Sequence, residues 1–412
     1  MVFGVGAFTQ GVMAALRADG ARVSAYLTRP YAHHGPALEG PTFDAAAHPN
    51  PCPLLARERP DFVVPMSIEW ALKPWTEEFL ASGVPILCPT GDALLLERDR
   101  DFARALCRRF GVPFPASHIA RNLVEARAIL DRDPRPYVIK NPLCSPFSPV
   151  HTIVCETVAE TRSWLERVDY GEGVFLQEYL GRAEAGHIAL VSGGEIYSLV
   201  TNQEYKRAFD GNLGVVAGAP LGGLVEKDPD DKYGLARELL HPLRPWFREV
   251  GFRGPVQATA IRQRRRWHVL EYNVRLGITS GPLILNLLAN PLAVLRDAAH
   301  NRPLTLRWRP NLRFGCSLTL AGYGYPYVAL EGPPVPVEVD GQPDGPVWWT
   351  EVRCDSHGQL LATGHRIADV AALAGTLDGA IRKAYATIRR LRVLGSYYRL
   401  DVGRSLWPPG TV

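Results

Sequence analysis

The chain has 412 residues, of which 46% are hydrophobic and 21% are charged, and its formal net charge is +4. This composition is ordinary for a soluble globular protein, and the length allows roughly two to four domains. The net charge is too small for this length to indicate a nucleic-acid partner. No apolar run is long enough for a membrane span, and the N-terminus lacks the basic region and cleavage site of a signal peptide. We therefore expect neither a nucleic-acid nor a membrane partner.

The seven cysteines stand far apart along the chain, and no two of them form a CxxC pair. An odd number of scattered cysteines in a long chain indicates neither a disulfide framework nor a zinc site. A reducing, cytoplasmic location is therefore expected.

Residues 1–91 are predicted to form a small α/β domain. An N-terminal strand is followed by a helix at 8–18 and by further strands at 23–27, 61–65 and 84–87. Strands that alternate with helices favour right-handed crossovers and a parallel sheet. Gly4 and Gly6 lack the third glycine of a dinucleotide fingerprint, so we interpret them as a tight strand-to-helix turn.

A long amphipathic helix is predicted from Asp92, its N-cap, to Phe110. It carries five arginines, an arrangement that is usually a solvated face. After a proline-containing break, the segment 115–185 is predicted as a compact α+β unit. Its helices begin at Asn122 and Thr157, each three residues before a glutamate, and its strands end at Lys140 and at 177–180 (QEYL).

From residue 186 the chain is rich in strands, with a second pair predicted at 254–262 and 266–273. Helices are expected at 228–250, beginning with Asp228 as N-cap and Pro229 at the first helical position, and at 282–288 and 291–300. The section 311–412 is predicted to contain a strand at 313–320, a tight loop at 322–326, a hairpin of 347–352 with 359–362, and a helix at 377–394. Tyr398 and Arg399 are expected to anchor this section.

The stretch 269–277 (VLEYNVRLG) is the strongest candidate for chemistry. Glu271, Asn273 and Arg275 alternate, and alternate residues of a strand face one side. Carboxylate and carboxamide oxygens are hard ligands that Mg²⁺ takes when it also binds phosphate, and Arg275 adds a fixed cation. On these residues alone, a solvated edge strand is an equally good interpretation.

Several short motifs occur in order: SIEWAL at 67–72, CPT at 88–90 with LERDRDFA at 96–103, QEYKR at 203–207 followed by DG at 210–211, VLEYNVRLG at 269–277, and YRLDVG at 398–403. Their order resembles the glycinamide ribonucleotide synthetase (phosphoribosylamine–glycine ligase) family of ATP-grasp enzymes. There the matching stretches read Pro-Glu-x-x-Leu, Gly-Pro-Thr with Leu-Glu-x-Ser-Lys-x-Phe, Gln-Asp-His-Lys-Arg, Val-Leu-Glu-(Phe/Tyr)-Asn-Val-Arg-Phe-Gly and Tyr-Arg-x-Asp-Ile-Gly.

The resemblance implies a fold that combines α/β and α+β parts. It implies an N-terminal parallel α/β (pre-ATP-grasp-like) substrate domain at 1–91 and a two-part ATP-grasp domain at 92–310. The latter would comprise a small lid unit at about 115–185 and a large unit at about 186–310. A small C-terminal α+β domain would occupy 311–412.

The resemblance also implies a site that binds ATP and Mg²⁺ (or Mn²⁺) with carboxylate and amine substrates such as glycine and phosphoribosylamine, in a monomer or homodimer. ATP would contact Arg100, Lys140, the hinge Gln177, Glu178, Tyr179 and Leu180, and Glu184. The metal would be held by Glu271 and Asn273, and the substrates would be oriented by Arg275, Lys206 and Glu204. Such a site works by positioning and charge neutralisation, through an acyl phosphate that an amine then attacks.

Some positions depart from the family pattern. The glycine-rich loop after the first lysine is replaced by 141–150, which holds three prolines and neither glycine nor lysine. Proline lacks the backbone N–H that such a loop offers to phosphate. The expected Asp-Pro-Glu after the VLEYNVRLG motif is Ile278-Thr279-Ser280, and the N-terminal Gly-Gly-Arg-Glu-His signature is the uncharged segment 6–10.

Three interpretations therefore stay open at the level of sequence. The first is a ligase that joins glycine to phosphoribosylamine. The second is a paralogous ATP-grasp ligase with another amine, carboxylate or both, which the lost charged residues favour. The third is a non-catalytic nucleotide-binding descendant, which the retention of Lys140, Glu271 and Asn273 disfavours.

Overall fold

The computed structural model describes residues 1–28, 40–144, 152–322, 324–327 and 333–404. The N-terminal part contains β1 (Val2–Phe3), α1 (Gly6–Ala18), β2 (Ala25–Leu27), β3 (Thr42–Asp44), α2 (Cys52–Glu58), β4 (Val64–Pro65) and α3 (Thr76–Ala81). The sheet β3-β2-β1-β4 is parallel throughout, as predicted. The predicted strand at 84–87 contributes only an isolated parallel bridge, between Val63 and Ile86. Gly6 begins α1 at φ 80°, a conformation that favours glycine, so the strand-to-helix turn needs it.

The predicted helix from Asp92 to Phe110 is wrong, because the chain breaks at Asp99. A 3₁₀ turn at Gly91–Leu94 leads into α4 (Leu95–Arg98) and then α5 (Arg100–Arg109). Asp99 has extended backbone angles, and its carboxylate accepts the backbone N–H groups of Asp101 and Phe102 at 2.9 and 3.0 Å. It is therefore the N-cap of α5.

The break at Asp99 lets this segment pair with the start of the proline-rich loop. Extended backbone at 98–100 pairs with the segment 142–144: the N–H of Arg100 donates to Pro142 O at 3.0 Å, and the N–H of Cys144 donates to Arg98 O at 2.7 Å. A continuous helix could not offer these groups, because its own ladder would use them.

The small unit consists of β5 (Ser117–Ala120), α6 (Leu123–Arg132), β6 (Tyr137–Lys140), β7 (Ile153–Val154), α7 (Val158–Leu165) and β8 (Val174–Glu178). Its antiparallel sheet has the order β5-β8-β6-β7. The two predicted helix starts are confirmed: Asn122 accepts the N–H of Glu125, and Thr157 forms a capping box with Glu160. In the antiparallel pairing of β6 with β8, Gln177 lies opposite Val138, two residues before Lys140, so the side chains of Lys140 and Gln177 share one face of the sheet.

The next section contains β9 (Glu184–Ser192), β10 (Glu195–Glu204), β11 (Arg207–Phe209), β12 (Leu213–Val216), β13 (Gly222–Lys227), α8 (Leu235–Leu239), α9 (Arg244–Glu249), β14 (Gly254–Gln263), β15 (Arg266–Asn273), α10 (Ser280–Leu287) and α11 (Pro291–Ala299). The single helix predicted at 228–250 is wrong. Asp228 instead accepts the N–H of Lys232 in a turn, and Pro242 and Pro245 interrupt the helical ladder between α8 and α9.

The final section contains β16 (Phe314–Gly322), β17 (Val335–Val339), β18 (Val347–Trp349), β19 (Val352–Cys354), β20 (Leu360–Ala362), β21 (Arg366–Ala374), α12 (Leu377–Ile388), β22 (Leu391–Val393) and β23 (Ser396–Tyr397). The predicted hairpin of 347–352 with 359–362 is wrong for most of its first strand: β18 pairs with β21, and only Val352 of that strand pairs with β20, as the first residue of β19. The helix predicted to reach Leu394 ends at Ile388, because 391–393 pair with β17 as β22. In the predicted loop at 322–326, Tyr323 lies outside the described residues.

One nine-stranded sheet organises the molecule, with the order β15-β14-β9-β10-β13-β16-β21-β18 and β23 on β16. It continues across the predicted boundary at 310/311, and that domain division stays a prediction. Helices α8 and α9 cover one face of β9, β14 and β15, in a core that includes Phe247, Trp267 and Tyr272. Within the described residues, no helix is both long and apolar enough to cross a bilayer.

The cap at Asp99 gives a testable prediction. Replacing Asp99 by Ala removes two hydrogen bonds to the first turn of α5, so we expect the free energy of unfolding to fall by about 1 kcal/mol. Asp99→Asn is the matched control, because its carboxamide oxygen can still cap the helix. Urea unfolding of the three proteins measures this, and an Ala variant as stable as the wild type would refute the assignment.

Candidate active site

A cavity of about 500 Å³ is lined by β6 and β8 on one side and by β9, β10 and β15 on the other. All the residues assigned to the site from sequence line this cavity: Arg100, Lys140, Gln177, Glu178, Tyr179, Leu180, Glu184, Glu204, Lys206, Glu271, Asn273 and Arg275. The structure thus brings them together, while their individual roles stay predictions.

A β-bulge at Leu270 aims the polar end of β15 into the cavity. In the pairing with β14, Glu271 lies opposite Thr259 but Val269 lies opposite Ala260, so Leu270 is an extra residue. Val269 therefore faces the helix-side core, although it has the same parity as Glu271. The bulge lets one strand supply both the core and the cavity.

Lys140 and Gln177 join the small unit to β15. The Nζ of Lys140 donates to Gln177 Oε1 at 2.9 Å, and Gln177 Nε2 donates to Leu270 O at 3.1 Å. Lys140 is only 5% exposed. Burial lowers the pKa of Lys140 to about 8, although the nearby carboxylate of Glu271 opposes this shift.

The hinge from Glu178 to Leu180 follows β8 along the cavity wall. The carboxylate of Glu178 faces Arg135 at 2.9 Å, and Leu180 O accepts from Gln263 Nε2 at 2.6 Å. Apolar side chains line the cavity near this hinge and the strands beside it: Val138, Val154, Ile261 and Leu270. A slot with apolar walls and backbone polar groups suits a flat heterocycle.

A cluster of opposite charges occupies the middle of the cavity. Lys206 Nζ lies 2.9 Å from Glu271 Oε1, 3.2 Å from Glu184 Oε2 and 3.8 Å from Glu204 Oε2. The other oxygen of Glu271 lies 3.9 Å from both Arg100 Nη1 and Lys140 Nζ. Glu271 thus faces three cations, and Lys206 faces three carboxylates.

These contacts fix the charge states of both groups. Lys206 is the main reason that the pKa of Glu271 lies far below its usual value; burial opposes this, and Lys140 and Arg100 add to it. Burial alone would lower the pKa of Lys206, but its three carboxylates outweigh burial and raise it well above its usual value. Both groups therefore stay ionised at neutral pH.

Glu97 is a cavity residue to which the sequence analysis gave no role. Its Oε2 accepts the N–H of Val274 at 2.5 Å, and its Oε1 lies 3.6 Å from Arg275 Nε. Burial acts to lower the pKa of Arg275, but Glu97 and then Glu204 raise it. The sequence feature that could have identified Glu97 is the LERDRDFA motif, where this glutamate follows a buried leucine at a helix end.

The N-terminal domain also reaches the cavity, which the sequence analysis did not foresee in detail. Phe8 of α1 and the segment Met66–Glu69 line it, and Ile278 lies across from them after β15. The segment overlaps the SIEWAL motif, so its resemblance to the family was the available signal.

The proline-rich loop at 141–150 lies only partly within the description, because 145–151 are outside the described residues. Its first part is anchored: Arg100 Nε donates to Asn141 O at 2.9 Å, beside the bonds at 142–144 given above. Asn141, Leu143 and Cys144 line the cavity.

His187 is buried beside two aspartates. Its ring lies near Asp228 and Asp231, with possible ligand atoms within 4.8 Å of one another. However, all four carboxylate oxygens already accept hydrogen bonds, from Thr201 Oγ1 and from the N–H groups of Lys232, Ala236 and Arg237. We interpret this group as the anchor of the turn before α8.

The donor set at the end of β15 fits a hard divalent cation. Glu271 and Asn273 lie two residues apart on one face, opposite Thr259 and Gln257 of β14, and both line the cavity. A carboxylate and a carboxamide beside Lys140 and Arg100 are the chemistry that binds such an ion together with phosphate oxygens.

The two antiparallel α+β parts that enclose a charged cavity, preceded by a parallel α/β domain, form an ATP-grasp fold. A solved phosphoribosylamine–glycine ligase from Thermotoga maritima superposes with a TM-score of 0.76 and 21% identity, covering 97% of this chain and 98% of that one. The biotin carboxylase domain of Hydrogenobacter thermophilus 2-oxoglutarate carboxylase, solved with MgADP and bicarbonate, has a TM-score of 0.67 and 13% identity, covering 96% and 91%. Both likenesses support the fold.

Sequence comparisons point to one group of relatives within this class of fold. Residues 98–279 match the phosphoribosylglycinamide synthetase ATP-grasp (A) domain. A phosphoribosylamine–glycine ligase of Streptococcus suis is 28% identical over 343 residues, which cover 79% of this chain and 80% of that protein. Through this domain, and over most of its length, the chain is similar to phosphoribosylamine–glycine ligases.

Proposed function

We propose that the protein is an ATP-dependent carboxylate–amine ligase of the phosphoribosylamine–glycine ligase type, which forms an amide through an acyl phosphate and releases ADP and phosphate. The observation that carries this proposal is the charge cluster, in which Glu271 faces Lys206, Lys140 and Arg100 inside one cavity. Such a cluster suits the phosphates and metal of a nucleotide. The name and coverage of the relatives support glycine and phosphoribosylamine as the substrates.

ATP would be held along the whole cavity. Lys140 and Arg100 would contact its phosphates, the hinge 177–180 its adenine, and Glu184 its ribose hydroxyls. The buried Lys140, held by Gln177, provides a cation that is already oriented before the nucleotide binds.

Glu271 and Asn273 would hold Mg²⁺, with Mn²⁺ as an alternative. When bound, the ion would neutralise phosphate charge and make the γ-phosphoryl group more electrophilic. Glu271 is suited to this because it stays ionised at neutral pH.

The chain's own residues bind and orient the two substrates. Lys206 stays protonated, so it acts as a cation that orients the donor carboxylate rather than as a base. Arg275 adds a second cation, which Glu97 holds in place. Glu204 lies beside Lys206 and would orient the amine.

The reaction then needs no covalent bond to the protein. An oxygen of the donor carboxylate bonds to the γ-phosphorus while the bond to ADP breaks. The amine nitrogen next bonds to the acyl carbon, phosphate leaves, and the nitrogen loses a proton. The protein contributes positioning and charge neutralisation to both steps.

A cytoplasmic location and a monomeric or homodimeric state stay predictions.

The pKa of Lys140 gives a pH prediction. The free protein loses this cation as pH rises through about 8, so kcat/KM for ATP should be highest below this pKa and should fall above it. Lys140→Arg keeps its charge throughout and should show a flatter profile, whereas Lys140→Met should be low at every pH. A wild-type profile that stays flat above this pKa would remove Lys140 from the phosphate site.

The function is tested by ADP release from the purified protein with Mg²⁺-ATP, with and without glycine and freshly generated phosphoribosylamine. We expect ADP only when both are present, together with glycinamide ribonucleotide identified by mass spectrometry. Lys206→Met should lower this activity by roughly a hundredfold, leaving a measurable residue, and the exposed Lys383→Met should keep it.

Other outcomes of the same assay are decisive too. ADP release with a different acid and amine would establish a paralogous ligase. No turnover with any pair, together with no ATP binding, would contradict the enzyme proposal.

A further inference from the structure

Residues 399–403, near the end of the described chain, contact the segment that carries Lys206 on the side away from the cavity. Lys206 faces the cavity, whereas the preceding residue, Tyr205, is fully buried in a core shared with Leu224, Cys316 and Val402. Neighbouring residues of an extended segment point to opposite sides, so what holds Tyr205 also sets the position of Lys206.

Arg399 is the centre of this attachment. It is 1% exposed, and its guanidinium lies over the ring of Tyr205, 4.9 Å from the centroid. Its Nη1 donates to Arg207 O at 3.0 Å and to Asn212 Oδ1 at 3.1 Å. Its Nε and Nη2 donate to the two oxygens of Asp401 at 2.8 and 2.6 Å. A buried guanidinium that is paired in this way has one preferred geometry.

Backbone groups extend the attachment on both sides of Lys206. The N–H of Gly403 donates to the hydroxyl oxygen of Tyr205 at 2.8 Å. The N–H of Leu400 donates to Asp210 Oδ1 at 2.8 Å, and the N–H of Gly211 donates to Asp401 Oδ2 at 3.0 Å. Residues 399–403, which we call the C-terminal clasp, thus bind 205–212 from end to end.

We propose that the C-terminal clasp positions Lys206 for the reaction, with Arg399 as its central positioning residue. Arg399 does not line the cavity, but Arg207 and Asn212, which it holds, do. In its observed position, Lys206 Nζ lies 2.9 Å from Glu271 Oε1 and 3.2 Å from Glu184 Oε2. A shift of about 1 Å in such a group can cost roughly a hundredfold in rate.

The first test is chemical labelling and does not depend on the reaction. Ion pairs with Glu271, Glu184 and Glu204 engage the amine of Lys206 and restrict its access to reagents, so a displaced Lys206 should react faster with an acetylating reagent. Arg399→Lys keeps the positive charge but loses the planar guanidinium that donates several hydrogen bonds at once. We compare it with Arg389→Lys, a change at an exposed arginine, by peptide mass spectrometry. Arg399→Lys should raise the labelling of Lys206 several-fold but leave that of Lys140 nearly unchanged; Arg389→Lys should change neither.

The second test rests on the proposed function and uses a double-mutant cycle. Arg399→Lys should lower kcat by about tenfold or more while KM for ATP changes little, because the nucleotide end of the cavity is untouched. In a Lys206→Met background the same change should cost almost nothing more. Equal costs in both backgrounds would show that Arg399 has only a structural role.

The two tests separate the possible failures. Tyr205→Phe removes only the hydroxyl that accepts from Gly403, so it replaces Arg399→Lys if that variant does not fold. An inactive wild type would contradict the proposed function but leave the labelling test valid. Unchanged Lys206 labelling in Arg399→Lys would overturn the clasp itself.

Discussion

The cavity depends on the compensation of charge around Glu271. An ionised carboxylate in a partly buried site is costly unless cations and hydrogen bonds satisfy it. Here Lys206 pairs with one of its oxygens at 2.9 Å, while Lys140 and Arg100 lie 3.9 Å from the other. The two longer contacts leave these cations able to turn toward a bound anion, and the carboxylate able to meet a metal. In the proposed ligase, the same charges thus hold the site together and receive the nucleotide.

Each charge of the cluster comes from a different part of the chain, and a local irregularity aims several of them. The break at Asp99 turns Arg100 toward Asn141, the bulge at Leu270 turns Glu271 inward, and the C-terminal clasp holds the segment of Lys206. Regular helices and strands could not place these groups together. The charged residues of the proposed site therefore lie near the ends and interruptions of helices and strands, while the nine-stranded sheet supports them.

The sequence predicted the cavity residues better than it predicted the elements. Motifs such as VLEYNVRLG identify individual site residues through their resemblance to the family. All the side chains assigned to the site in this way line the cavity. The helix at 92–110 failed because its amphipathic pattern continues through Asp99, whose capping role depends on backbone angles. Strand β22 was missed because its pairing with β17 is a long-range contact that outweighs local helix propensity. Glu97 was missed because its role depends on Val274 and Arg275, which are distant in sequence.

The most direct test of the account is the Mg²⁺ dependence of nucleotide binding in the wild type and in Glu271→Gln. Titration calorimetry with a non-hydrolysable ATP analogue, with and without Mg²⁺, measures it. If Glu271 is both the partner of the three cations and a metal ligand, Mg²⁺ should strengthen binding to the wild type and have little effect on the variant. The variant should bind the metal-free analogue at least as well as the wild type does, because its cations have lost a competing carboxylate. A variant that keeps the full Mg²⁺ effect would contradict the account.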